Sequence, residues 1–314
     1  MNGEKKHHPV AQRRRPLILL WGIPEEETLG AVHHALHAQG AETVMVDQRR
    51  ALATHLFPRP GGPVLRLPGT VVFLAQVTAA YPRPYPFRPR IAGGSSARQI
   101  GHRHIARLEQ ELWQWTATTT ATVVNRPAPS ASNSTKPLQT QAATACGFRV
   151  PDTLLTNDVE KARAFAAQHG RVIYKAAGGT RTLTGLLDLA DGRRLERLST
   201  CPTYFQRYIA GTNVRVHVVG TEVSAVEIAS DAVDYRRSVL DMGPAKLPGT
   251  VADRCRTVAE ALGLLVAGID LIRGLDDEWY FLEANPSPGF TFYPGSDKVA
   301  AAIAHLLVSP PAGN

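Results

Sequence analysis

Cysteine is scarce in this chain: Cys146, Cys201 and Cys255 are scattered, odd in number and in no C-x-x-C spacing. That pattern excludes a disulfide framework and a cysteine-built zinc site, and it fits reduced thiols. No run of 18 apolar residues exists, so no transmembrane helix is expected. The N-terminal MNGEKKHHPVAQRRR leads into a short apolar stretch that is too small for a signal-peptide core, and the expected location is the cytoplasm. G-x-G-x-x-G does not follow the first apolar segment, and G-x-x-x-x-G-K-S/T occurs nowhere. The common dinucleotide fingerprint and the Walker loop are therefore both missing. There is also no Ser/His/Asp or Cys/His set of the kind that serves nucleophilic catalysis.

What is present is an ordinary globular composition, 44% apolar and 20% charged, with 314 residues, enough for two or three lobes. The formal charge of +8 comes in part from residues 1–15, read as a disordered basic tail whose His7 and His8 are solvated. No helix-turn-helix, RNP or Cys/His finger pattern accompanies it, so nucleic acid ranks below phosphates or an acidic substrate as partner.

PLILLWG reads as a buried strand, EEETLGAVHHALHAQG as a helix with Leu29, Val32 and Leu36 on one face, and ETVMVD as the next strand. This β-α-β opening predicts a parallel α/β domain over residues 16–125. His33, His34 and His37 fall on the helix's solvent side. The proline-rich AAYPRPYPFRPR is expected to be a loop rather than a central strand, offering Arg83, Tyr85 and Arg88 to a ligand. Ile105, Leu108, Leu112 and Trp115 share one face of an amphipathic helix. NRPAPSASNSTKPLQ reads as a polar linker, and a second domain of residues 126–308 follows, with a short tail at 309–314. Inside it, GRVIYKAAGGT is a strand reaching Lys175 and a glycine loop, TYFQRYI is a second strand, and TNVRVHVVGTEVSAVEIAS is a hairpin turning at Gly220-Thr221.

The segment LVAGIDLIRGLDDEWYFLEANP predicts another hairpin. Pairing Arg273 with Glu278 would set Asp270 opposite Phe281 and place Phe281, Glu283 and Asn285 on Asp270's face. Asp270 and Glu283 would then be diagonal neighbours about 7–8 Å apart. Three oxygen ligands so placed suit a hard divalent cation. Glu283 and Asn285 taken alone fit a turn cap equally well.

The segments SNSTKP, VIYKAAGGT, FQRYIAGTNVRVHVVG, DYRR and GIDLI…FLEANPSPGF occur in an order that resembles the ATP-grasp ligases, close to the RimK-like carboxylate–amine ligases. The chain is also similar to ATP-grasp enzymes that cross-link acidic side chains in ribosomal peptides. The resemblance covers roughly residues 126–308 and implies an α/β (α+β) ATP-grasp fold behind an N-terminal α/β domain, with two lobes meeting near 206–209. It implies that Lys136 and Lys175 contact nucleotide phosphates and that Gly178, Gly179 and Thr180 form a lid. Gln206, Arg207, Tyr208 and Ile209 would pass behind adenine, with backbone groups of Arg207 and Ile209 at its edge, and Asn213 would lie near the ribose. Arg215 and Arg236 would stabilise the γ-phosphate and an acyl phosphate, while Asp270, Glu283 and Asn285 would hold Mg²⁺, with Mn²⁺ as a substitute. Two departures stand out: Arg207 replaces a common Glu and Asn213 a common Asp.

The activity so implied is ADP-forming: a carboxylate is activated with Mg-ATP and passed to an amine on a peptide or small molecule. The alternative within the class is closure of side-chain lactams or lactones in a ribosomal peptide. A catalytically idle nucleotide-binding scaffold is the alternative outside it, and the complete Asp, Glu and Asn set argues against that. His217, on a strand face with Arg215, reads either as a base or as a packed histidine, and Glu227 and Asp231 face cleft or solvent. The expected partners are an acidic peptide or small carboxylate plus an amine, with a homodimer as the default assembly.

Overall fold

The computed structural model describes residues 15–86, 90–92, 94–176, 184–188 and 200–309. The basic tail up to residue 14, Arg88, the lid residues Gly178, Gly179 and Thr180, and residues 310–314 lie outside these.

The strand LILLWG (β1, Leu17–Gly22) is apolar throughout because both faces of its sheet are covered. It pairs in parallel with β2 (Glu42–Asp47) and β6 (Val77–Pro82), and β6 pairs in parallel with β7 (Thr122–Val123). Helix α1 (Glu27–Ala38) joins β1 to β2 and starts at Glu26, whose side chain accepts from the Leu29 amide. His34 and His37 are exposed as expected, and His33 is half-buried beside Thr43. Helix α2 (Ser95–Thr118) covers the opposite face with Ile105, Leu108, Leu112 and Trp115, and it begins seven residues before His102. Residues between β2 and β6, for which the periodicity predicted nothing, form a small antiparallel sheet of β3 (His55–Phe57), β4 (Val64–Leu67) and β5 (Thr70–Phe73).

The proline-rich segment departs from its expected loop. Ala79 to Pro82 belong to β6, an interior strand in the order β2-β1-β6-β7. Pro82 is tolerated because β7 pairs only with Ala79 and Ala80, so the missing N–H falls where that ladder has ended. The presumed linker is also ordered. It forms a short helix, α3 (Pro127–Ser130), with proline at its first position, then a 3₁₀ turn (Ala131–Ser134) leading into α4 (Lys136–Ala145).

Two antiparallel sheets follow. The smaller has the order β10-β9-β11-β8, from β8 (Thr153–Thr156), β9 (Val172–Ala176), β10 (Gly185–Leu186) and β11 (Thr203–Arg207), with α5 (Val159–His169) packed on it. The larger has the order β14-β13-β12-β15-β16, built from β12 (Gly211–Val219), β13 (Glu222–Ala229), β14 (Asp241–Pro244), β15 (Val266–Gly274) and β16 (Trp279–Asn285). Val214, Val216, Val218 and Ile269 alternate onto one face, where α4 and α6 (Gly249–Ala261) bury them. Asn213, Arg215 and His217 therefore alternate onto the other.

The C-terminal helix α7 (Ser296–Val308) does not close over its own sheet alone. Ile303 and Leu307 join Leu29, Val32 and Leu36 of α1 and Phe290 in a single core, so the first domain and the large sheet share apolar packing.

Candidate active site

The ligand hairpin forms, but in a different register from the one expected. Arg273 pairs with Trp279, not Glu278, and the loop reverses over Leu275–Asp277, with Asp277 at φ +60°. Carried on regularly, this register would turn Glu283 away from Asp270. A bulge between Asp270 and Leu271 accommodates Leu282 as an extra residue and sets Glu283 directly opposite Asp270. Phe281 does not share Asp270's face: it is buried with Leu271 and Ala284 in the core beneath α4 and α6. The bulge thus separates a packing residue, Phe281, from the carboxylate two positions later.

Each carboxylate has a cation. Arg215 lies directly across from Asp270, and its Nη1 donates to Asp270 Oδ1 at 2.8 Å. Lys136, at the start of α4, donates to Glu283 Oε2 at 3.1 Å. Tyr235 donates to the same Asp270 Oδ1 at 3.2 Å, and its hydroxyl meets that of Tyr293 at 3.1 Å. Burial is the largest influence on Asp270 and lifts its pKa above the carboxylate norm; Arg215 opposes the lift and Glu283 adds to it. Burial also pushes Glu283 up, but Lys136 and Lys175 hold it below its ordinary value. Lys175, across from Tyr204 on β11, is depressed to about 8 by burial, against the pull of Glu283. Arg236 is held by Asp234 at 2.6 Å and feels both Glu283 and Asp270. Lys136 of α4, Lys175 of β9, Arg215 of β12, Arg236 of the DYRR segment, Asp270 of β15 and Glu283 of β16 thus come together from six separate places in the chain.

The donor set fits a hard divalent cation. Among the described residues, Asp270 Oδ2 and Glu283 Oε1 accept no hydrogen bond, and Asn285 Oδ1 accepts only one, from the Ser287 amide at 2.9 Å. A cation between two facing carboxylates would relieve the repulsion that raises Asp270. No group of three or more His, Cys, Asp or Glu occurs among the described residues, so two carboxylates and an amide are the set available here.

The hinge segment lies at the junction of the two sheets. Gln206 is buried with no partner for Oε1 among the described residues, the Arg207 amide donates to Asp152 O, and Tyr208 N donates to Arg171 O. Ile209 packs with Ile272, Tyr280 and Leu282, which joins the hinge to the ligand hairpin. Arg207, in place of the usual acid, pairs with Asp152 at 3.1 Å. Asn213 sits opposite Ile272, two residues before Arg215 on the cleft face.

His217 is 2% exposed and packed edge-on against Phe290 and Tyr293. Burial, reinforced by Arg215, lowers its pKa to about 3, so it is neutral and enclosed, as a packed histidine would be. Glu227 stands opposite Val214, hence on the helix-covered side, where it meets Arg273 at 3.7 Å. Arg83 is not available to a ligand. It is bound to Glu26 at 3.3 Å, Ser287 Oγ at 3.0 Å and Pro288 O at 3.1 Å, and it ties the first domain to the turn after Asn285.

Sequence reasoning missed several supports. Gln139, one turn after Lys136, clamps the backbone of Ala284 from both sides: Nε2 donates to its carbonyl at 2.6 Å and Oε1 accepts from its amide at 3.0 Å. The residue between Glu283 and Asn285 is therefore fixed to the helix that carries Lys136. Asn125 does the same for the sheet's entry and exit, donating to Val266 O and Pro286 O and accepting from Leu265 N and Val266 N. Tyr235 was within reach, since it lies in the DYRR segment beside Arg236.

Residues 131–307 match the family of RimK-like ATP-grasp domains. No curated protein matches the chain. Among solved structures, macrocyclase MdnC bound with precursor peptide MdnA, from Microcystis aeruginosa MRC, has a TM-score of 0.82 at 22% identity, over 94% of this chain and 100% of that one. A Chryseobacterium gregarium RiPP-associated ATP-grasp ligase, in complex with ADP and a leader and core peptide, has a TM-score of 0.79 at 20% identity over 93% and 96%. ATP-grasp ligase PsnB, complexed with a phosphomimetic variant of its minimal precursor, Mg and ADP, has a TM-score of 0.73 at 27% identity over 93% and 97%. The chain belongs to the RimK-like ATP-grasp family and has the ATP-grasp fold of an ATP-dependent ligase.

Proposed function

We propose that the protein forms ADP while activating a side-chain carboxylate of an acidic peptide, and that it passes the acyl group to an amine of the same peptide, closing a lactam. A hydroxyl in place of the amine would give a lactone. The observation that carries this reading is the direct pairing of Asp270 with Glu283 inside a ring of Lys136, Lys175, Arg215 and Arg236. The peptide substrate and ring closure are favoured by the similar structures, which hold precursor peptides.

In this reading residues 126–308 form the ligase part and residues 16–125 the domain before it. Lys136 and Lys175 hold the nucleotide phosphates, Gly178, Gly179 and Thr180 cover them, Gln206 to Ile209 lie behind the base, and Asn213 lies toward the ribose. Asp270, Glu283 and Asn285 would hold Mg²⁺ or Mn²⁺, which when bound offsets the charge developing on the transferred phosphoryl group. Arg215 and Arg236 then face the acyl phosphate that forms as the substrate carboxylate attacks the γ-phosphorus. Attack by the amine on that carbonyl releases phosphate, and the ammonium proton leaves to solvent. Because the acyl group is carried by phosphate, no side chain of the protein has to act as nucleophile.

The test is intact-mass analysis of acidic peptides incubated with the protein and Mg-ATP, with ADP measured in parallel. Loss of one water per ADP formed is the expected result. Gain of an amino-acid residue from an added mixture would replace ring closure with intermolecular ligation, and absence of ADP with every peptide would overturn the reading.

A further inference from the structure

Glycine inside a strand weakens it, because the backbone is freer and no side chain packs. β15 nevertheless carries Gly268, two residues before Asp270 and on the same face of the sheet. Gly268 pairs with His217 on β12 and with Asn285 on β16. The row His217–Gly268–Asn285 therefore lies beside the row Arg215–Asp270–Glu283, and Gly268 is the one position of the two rows without a side chain.

Arg215 occupies the space. A Cβ built on Gly268 would overlap Arg215 Nη2 and stand 2.6 Å from its Cζ and 2.7 Å from Pro288 Cβ. The buried guanidinium thus reaches diagonally from β12 across the bare backbone of Gly268, while Nη1 donates to Asp270 Oδ1 at 2.8 Å. Its Cζ lies 5.9 Å from the centre of the Tyr293 ring. Arg215 Nε has no hydrogen-bond partner among the described residues, so contact with Gly268 helps fix a plane that the bond to Asp270 leaves free to turn. Pro288 is the firmer of the two neighbours. Its carbonyl accepts from Arg83 Nη1, which also binds Ser287 Oγ; Arg83 is anchored to Glu26, and Asn125 holds Pro286 O. A side chain at position 268 would therefore displace the guanidinium before it displaced the turn.

We propose that Gly268 is a positioning residue: by lacking a side chain it seats the Arg215 guanidinium beside Asp270, in the pose from which Arg215 stabilises the transferred phosphoryl group. The proposal rests on the role given to Arg215 in the ligase reading above. A guanidinium fixed in advance meets developing charge without having to reorganise. Misplacement of such a group by about 1 Å can cost about a hundredfold in rate. Lysine at position 215 would keep the charge but present a compact ammonium, with no planar fork to lie over Gly268. The two positions are therefore coupled, and the coupling is measurable.

The test is a double-mutant cycle in the full chain with Gly268→Ala, Arg215→Lys and the two combined, read as ADP formation with an acidic peptide and as denaturant unfolding. Gly268→Ala should lower kcat about tenfold or more. Its KM for ATP should move by less than about twofold, because the interaction lost belongs to the transition state. The combined variant should be no slower than Arg215→Lys alone, and Gly268→Ala should lower the unfolding midpoint less in the Arg215→Lys background than in the wild type. Gly243→Ala, on β14 where a Cβ would meet nothing within 4 Å, should match the wild type in every reading. Wild-type kcat in Gly268→Ala would overturn the proposal, as would losses that simply multiply in the combined variant. A Gly268→Ala protein that fails to fold and is not recovered by Arg215→Lys would also overturn it, since the conflict would then lie with the backbone and Pro288. Failure of the ligase reading appears separately, as absence of ADP from the wild type, and the unfolding half of the cycle still decides whether Gly268 seats Arg215.

Discussion

The cleft face of the large sheet and the α2 surface are both rich in cations, and they are organised in opposite ways. In the cleft the cations are matched at short range: Arg215 with Asp270 at 2.8 Å, Lys136 with Glu283 at 3.1 Å, Arg236 with Asp234 at 2.6 Å. On α2, Arg98 and Arg103 stand exposed to solvent. Solvent accounts for the contrast. A charge withdrawn from water must be paired or it destabilises the fold, whereas an exposed guanidinium is stabilised by water. Changes in the cleft should therefore alter chemistry and stability together, and changes at the exposed arginines of α2 should leave stability nearly unchanged.

The sharpest way to break the comparison is at Glu283. Glu283→Gln should lower the rate of ADP formation by about a hundredfold or more while circular dichroism stays native, since it removes a proposed metal ligand and leaves the backbone clamp intact. An unimpaired variant would remove Glu283 from the site. Smaller effects are expected one layer out. Gln139→Ala deletes both bonds to Ala284 and leaves two buried backbone groups unpaired, which should cost about 2–3 kcal/mol in denaturant unfolding and reduce turnover by loosening Lys136 and Glu283 together. Loss of stability with unchanged turnover would mean that the clamp is structural only.

His217 gives a pH-dependent version of the same contrast. Its folded pKa is about 3 against 6.5 for the free side chain, so the unfolded chain binds the extra proton in that window. Its contribution is complete above pH 6.5 and is lost as pH falls toward 3, at roughly 1.4 kcal/mol per pH unit. His217→Gln should flatten that part of the stability curve, and an unchanged slope would show that the imidazole is not held neutral. The smallest effect belongs to the open surface: R98E/R103E should change unfolding free energy by less than about 0.5 kcal/mol, as exposed substitutions do. A large loss there would mean that α2's arginines are structural and would erase the distinction.

The residue types of the cleft were legible without the structure because Asp, Glu, Asn, Lys and Arg recur in an ordered set of short segments. Their geometry was only half legible. Alternation placed Arg215 and His217 on one face, and the Gly220-Thr221 turn fixed the register of β12 against β13. The second hairpin failed by one residue because its loop left the register open, and the bulge that corrects it leaves no mark in an apolar run. Gln139 and Asn125 were invisible for a related reason: their partners are backbone atoms more than a hundred residues away.

The sequence by itself determined the β-α-β opening, the helical face of α2, the two hairpins and the identity of the charged groups, because periods of 2 and 3.6 and turn chemistry act over a few neighbouring residues. Tertiary structure decided the rest. It set Glu283 opposite Asp270, buried Pro82 in a sheet, enclosed His217 as a neutral side chain, and brought α7 onto α1 to join two domains in one core. Those outcomes depend on burial and on pairing between distant segments, which become defined only when the whole chain is packed.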